Sequence, residues 1–134
     1  MPQTLKLFLC VEDDEDDCSW IEEAATEIDP TLEFVACPNG RDALAYLDQQ
    51  KELHHLPCLI LLDMNMPVMD GKQTLVALKK DPVLKEIPVV MFTTSSSKTD
   101  HLFCELWGAD MVTKPGKIHE LKSLIRQLVQ VRCA

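Results

Sequence analysis

Short apolar runs alternate with stretches of helical periodicity along the whole chain, and this alternation leaves few folds open. Leu5 to Val11 reads as a strand buried on nearly both faces, since only Lys6 interrupts its apolar residues and charge follows at once. Ser19 to Ile28 reads as a helix, with Trp20, Ile21, Ala24, Ala25 and Ile28 recurring at three- and four-residue spacing until Pro30 stops it. Leu32 to Cys37 is a second strand, and Asn39-Gly40 turns the chain into a helix over Arg41 to Gln49. The pattern continues with a strand Cys58 to Asp63, a helix Gly71 to Lys80 ended by Asp81-Pro82, and a strand Ile87 to Phe92. A short helix Lys98 to Trp107, a short strand Asp110 to Thr113 and an amphipathic helix Ile118 to Val131 complete it.

Strands joined by helix-length crossovers predict a parallel sheet covered on both faces, with right-handed connections. The expected form is α/β: a doubly wound sheet of five strands in the flavodoxin-like order 2-1-3-4-5. A length of 134 residues fits one domain, 1–134, with no room for a separate effector domain. No segment approaches the roughly 18 apolar residues that cross a bilayer, and Met1 to Lys6 lacks the pattern of a signal peptide, so a cytoplasmic protein without a membrane partner is expected. The six cysteines are scattered among apolar segments without close pairing and read as reduced core thiols. A net charge of −9 would repel a phosphate backbone, which disfavours nucleic acid and leaves proteins or small ions as partners. His54-His55 has no third ligand nearby and reads as solvated loop.

In a doubly wound sheet, ligands bind beyond the carboxyl ends of the strands, near the switch in strand order. Glu12 and Asp13 follow the first strand, Asp63 the third, Thr93 the fourth and Lys114 the fifth. Three carboxylates converging on one site repel each other, and a divalent cation resolves the conflict. Oxygen ligands with few protein contacts suit Mg²⁺, which prefers to share its coordination with a phosphate. Asp63 is then a candidate nucleophile, Lys114 a candidate partner for phosphoryl charge and Thr93 a hydrogen-bond donor to a phosphoryl oxygen. Taken singly each residue has a plainer role: Asp14 to Asp17 as a solvated acidic run favouring a helix N-terminus, the Thr93 to Ser97 stretch as a polar loop with a cap, Lys114 as a surface charge.

The blocks Val11-Glu12-Asp13-Asp14, Leu61 to Gly71, Ile87 to Thr93, Gly108-Ala109-Asp110 and Lys114-Pro115 together resemble the receiver domains of two-component response regulators, over nearly the whole chain. The resemblance implies that Asp63 is the phosphoacceptor and that Glu12 and Asp13 bind Mg²⁺, Asp13 the more direct ligand, with the main-chain carbonyl of Asn65 completing the protein's share. It also implies Thr93 as switch hydroxyl, Lys114 as phosphate-pairing lysine, and a Lys114-Pro115 bond that in such domains is often cis. A sensor histidine kinase or histidine phosphotransfer protein would be the donor, and a downstream protein or a second copy of the chain the target. Asn65 and Ser95 would flank the path of hydrolytic water. One position departs from the pattern: Met111 stands where receivers usually carry an aromatic residue, so either its thioether, or Trp107, or a different output replaces the usual ring rotation.

Leu102, Phe103, Leu106 and Trp107 suggest either a wide buried face or an exposed patch on the fourth helix, whereas Leu121, Leu124, Ile125, Leu128 and Val131 read mostly as core. Other functions fit less well. A small Mg²⁺-dependent phosphatase with an Asp nucleophile usually has a second carboxylate where this chain has Asn65. A flavin carrier would meet repulsion from Glu12 to Asp17. A degenerate receiver that takes no phosphate would not need every site position filled.

Overall fold

The computed structural model describes residues 6–94 and 97–133. Five strands, β1 (Leu7–Val11), β2 (Glu33–Cys37), β3 (Leu59–Asp63), β4 (Val89–Thr93) and β5 (Asp110–Thr113), form one sheet in the order β2-β1-β3-β4-β5, with all neighbours parallel. Five helices connect and follow them: α1 (Glu15–Ile28), α2 (Gly40–Glu52), α3 (Gly71–Lys80), α4 (Lys98–Leu106) and α5 (Ile118–Arg132). The doubly wound fold expected from the sequence is therefore present.

Side-chain alternation divides the central strands between two cores. Leu9, Val11, Ile60 and Leu62 point into a cluster closed by Ala43 and Leu47 of α2, Leu75 and Leu78 of α3 and Cys104 of α4. Phe8, Cys10, Leu59 and Leu61 point the other way, onto Ile21, Ala24 and Ala25 of α1 and Leu121, Ile125 and Val129 of α5. A strand covered on both sides has no polar face, which is why Leu59 to Leu62 reads as an unbroken apolar run. Each fully buried Leu, Ile, Val or Phe among them stabilises the fold by about 1.5–3 kcal/mol.

Helix starts are set by local chemistry. Asp14 caps α1 by accepting from the Asp17 N–H at 3.0 Å, and Asn39 caps α2 by accepting from Asp42 at 2.9 Å. Asp70 and Gln73 form a reciprocal capping box on α3, and the Ser97 hydroxyl accepts from Asp100 at the start of α4. The cap at Asp14 explains why α1 begins four residues before the expected Ser19: its first turn is acidic, favourable beside the helix dipole but without apolar periodicity. α2 runs on to Glu52, β1 starts at Leu7, β4 spans Val89–Thr93, and a short 3₁₀ turn at Leu84–Glu86 precedes it. Leu5 lies outside the described residues.

The fold corrects one expectation and bears out another, since the α5 stripe is mostly core apart from Val131. Cys58 and Cys133 are joined by a disulfide across 75 positions of sequence, while Cys10, Cys18, Cys37 and Cys104 are free. The lack of close spacing argues for reduced thiols, but the fold brings the end of α5 to the foot of β3. Val131 is 74% exposed, and Val129 takes the core position instead, because Leu121, Ile125 and Val129 at four-residue spacing define the inward stripe. On α4 the two readings divide: Phe103 and Trp107 pack against the core, whereas Leu102 and Leu106 face solvent.

Candidate functional site

The switch in strand order lies between β1 and β3, and the carboxyl ends of these strands carry the acidic residues. Glu12, Asp13 and Asp63 each bring a carboxylate oxygen into a group lying within 4.8 Å of one another. Glu12 is held by its own backbone N–H, which continues the sheet by donating to the Cys37 carbonyl at 3.0 Å. Glu12 and Asp63 are buried, whereas Asp13 is exposed, so the group opens to water on one side.

Packing beneath Asp63 is tight. A Cβ added to Gly71 would lie 2.3 Å from the Asp63 carbonyl oxygen and 2.7 Å from the Met64 Cα, so only glycine lets α3 begin this close to the end of β3. The loop between them folds back at Val68, whose φ of 71° lies in the left-handed region. The Met69 N–H donates to the Pro67 carbonyl at 2.8 Å around it, giving a γ-turn of the strained, positive-φ form. Asn65 is exposed, and its N–H donates to Asp63 Oδ1 at 3.3 Å.

Lys114 enters from beyond β5. Its N–H donates to the Thr93 carbonyl at 2.7 Å, which ties the segment after β5 to the end of β4. Its Nζ lies 2.6 Å from Glu12 Oε1 and 3.0 Å from Asp17 Oδ2, and sits 5.2 Å from the centre of the Phe92 ring. The expected cis bond is corrected: no cis peptide occurs among the described residues. Lys114-Pro115 takes the intrinsically favoured trans form, and the lysine reaches the carboxylates from it. Thr93, 1% exposed, ends β4 beside this group. Ser95 lies outside the described residues. Met111 is half-buried against the same core as Phe103 and Trp107.

The electrostatics follow from burial and crowding. Burial raises the Glu12 carboxyl to about 7, reinforced by its hydrogen bond with Asp63 and opposed by Lys114. Burial also raises Asp63, against the lowering effects of its Glu12 hydrogen bond and the Lys114 charge. For Lys114 burial disfavours the charge, but hydrogen bonds to Glu12 and Asp17 outweigh it and hold the ammonium above its usual range. The donor set is all oxygen, anionic and partly open to water, which fits a hard divalent cation that keeps several waters.

The structure thus gathers Glu12, Asp13, Asp63, Thr93 and Lys114 at one pole. It adds Asp17, which the sequence alone places in a solvated run; its position three residues after the Asp14 cap turns it toward Lys114.

A family model described as the response regulator receiver domain matches residues 8–126. The response regulator Rcp1 of Synechocystis sp. is 39% identical over 124 residues, covering 90% of this chain and 84% of that protein. Among solved structures, the phosphorylated cyanobacterial phytochrome response regulator RcpA superposes with a TM-score of 0.89 at 32% identity, covering 96% of this chain and 94% of that one. The Mn²⁺-bound form of response regulator Rcp1 superposes at 0.77 with 31% identity, covering 93% and 92%.

Proposed function

Since this chain belongs to the response regulator receiver domain family, we propose that it is a phosphorylation switch whose acceptor is Asp63. The observation that carries this reading is the gathering of three carboxylates at the switch in strand order, with Lys114 2.6 Å from one of them. That RcpA was solved phosphorylated and Rcp1 with Mn²⁺ supports it.

In this reading a Mg²⁺ ion held by Asp13, Asp63 and the main-chain carbonyl of Asn65, with Glu12 beside them, would neutralise charge on the transferring phosphoryl group. An Asp63 carboxylate oxygen attacks the phosphorus of a phosphohistidine on a sensor kinase or phosphotransfer protein. The P–N bond breaks, and its electron pair returns to the imidazole. Lys114 pairs with the phosphoryl oxygens, exchanging part of its contact with Glu12 for them, while Asp17 keeps it oriented. Thr93 turns its hydroxyl to a third oxygen. The chain carries the signal by altered protein contacts rather than by turnover of a substrate: a loop equilibrium shifts, and a downstream protein or a second copy reads it.

Incubation with acetyl phosphate and Mg²⁺, followed by intact-mass measurement, tests the assignment. Wild type gains one phosphoryl mass and Asp63→Asn gains none; equal gain in both, or none in wild type, removes Asp63 as acceptor.

A further inference from the structure

The pole opposite the carboxylates carries different chemistry. Cys58, immediately before β3, is bonded to Cys133, the residue that ends α5, with Cα atoms 5.3 Å apart. That separation lies inside the ordinary disulfide range of about 4.4–6.8 Å, so the backbone accepts the bond as it stands. We propose that Cys58–Cys133 is a thiol–disulfide exchange site for a dithiol reductant, and that reduction releases the last turn of α5.

Cys58 is half-buried and Cys133 only 3% exposed, so Cys58 is the more exposed residue of the pair. A solvent-open cleft of about 190 Å³, lined by Lys6, Ile28, Asp29, Val129, Gln130 and Cys133, opens on the Cys133 side of the bond. A thiolate of the dithiol attacks Cys58 Sγ, the S–S bond breaks, and its electron pair leaves on Cys133 Sγ, which takes up a proton. The second sulfur of the dithiol then attacks the mixed disulfide and displaces Cys58, which is protonated in turn. Two electrons have passed, and the reductant departs as a disulfide.

Both ends of the exchange are accommodated. Cys58 Sγ lies 3.2 Å from the Leu7 carbonyl oxygen, so the thiol released by reduction has an acceptor in place. Cys10, Cys18, Cys37 and Cys104 are free and take no part in the bond. What the bond restrains is specific. The last turn of α5 is held by the Cys133 N–H to Val129 carbonyl bond at 2.8 Å and by the pair between Arg132 and Asp110 at the start of β5. Val131 on that turn points into solvent. Opening the disulfide leaves that turn with the Cys133 N–H bond, the burial of Val129 and one surface ion pair, and helix ends held this lightly fray more readily.

The test needs no phosphoryl chemistry, so its outcome is independent of the role assigned to Asp63. Protein oxidised in glutathione disulfide, then treated under native conditions with or without dithiothreitol, is alkylated in denaturant and mapped by peptide mass, in parallel with amide hydrogen exchange over residues 129–133. The expected result is that Cys58 and Cys133 escape alkylation before reduction and are alkylated after it, with exchange at the α5 terminus roughly tenfold faster or more once reduced. Cys58→Ser reproduces the fast exchange without reductant, and Cys10→Ser leaves the oxidised protection intact. Six reactive thiols in the oxidised sample, a bond that dithiothreitol opens only in denaturant, or unchanged exchange after native reduction would each overturn the proposal.

Discussion

Glu12→Gln probes the electrostatic design of the carboxylate site. Burial places the Glu12 carboxyl at about 7 instead of 4.5, so the folded state binds its proton more tightly than the unfolded chain does. Stability therefore declines as pH rises from about 4.5 through 7, the reverse of an ordinary ion-paired carboxylate. Each tenfold gain in proton affinity is worth about 1.4 kcal/mol, so the full effect comes to about 3 kcal/mol, and water entering beside exposed Asp13 reduces the expected loss to about 1–3 kcal/mol. Asp63, also raised, adds in the same direction, while Lys114 stays charged throughout this window and contributes no slope. Thermal melts from pH 5 to 8.5 in chelator then show a falling midpoint, at roughly 3–4 °C per kcal/mol for a chain of this size. Glu12→Gln removes most of that slope and melts higher than wild type at pH 8, since Lys114 retains Asp17. Mg²⁺ stabilises wild type more at pH 8 than at pH 5.5, because cation and proton compete for the same oxygens. A wild-type midpoint that rises over this range, or a Glu12→Gln protein with the wild-type slope, would refute the reasoning.

Three other outcomes follow from local geometry. Val68→Asn relieves a β-branched residue from positive φ and raises stability by about 0.5–1 kcal/mol in denaturant titration, whereas an unchanged midpoint would mean the turn holds no strain. Gly71→Ala forces a carbon against the Asp63 carbonyl, costs about 1–3 kcal/mol and slows acetyl phosphate labelling, since the same shift moves the acceptor. Cys133→Ser, compared with oxidised wild type, loses about 4 kcal/mol by the chain-entropy relation for a loop this long, read as a denaturant midpoint that reduction of wild type reproduces.

Strand positions were legible because a sheet covered on both faces needs unbroken apolar runs, and Leu59 to Leu62 carries one. The site residues were legible for a related reason: a polar residue directly after such a run must stand at the mouth of the sheet, and the topology then gathers those mouths. Asp17 was not, since its pairing with Lys114 depends on where a helix starts, and that start was set by the cap at Asp14 rather than by any apolar period. The disulfide escaped for lack of a local signal, as 75 positions separate its ends. Val129 and Val131 lie about half a turn apart, on opposite faces of the helix, yet each follows an apolar residue at helical spacing, Val129 four after Ile125 and Val131 three after Leu128, so the stripe alone does not say which turns inward.

The contact between Lys114 and Glu12 joins residues 102 positions apart, and this bears on the order in which the protein can be made. A chain emerging from the ribosome presents β1, β3 and their carboxylates long before the fifth strand exists, so the acidic pole begins life without its ammonium. Until that strand docks, the carboxyl pole lacks the cation that pairs Glu12 in the folded protein. Completion of the site therefore waits on a long-range closure, and a chain stopped short of Lys114 has the acids of the site without the cation that organises them.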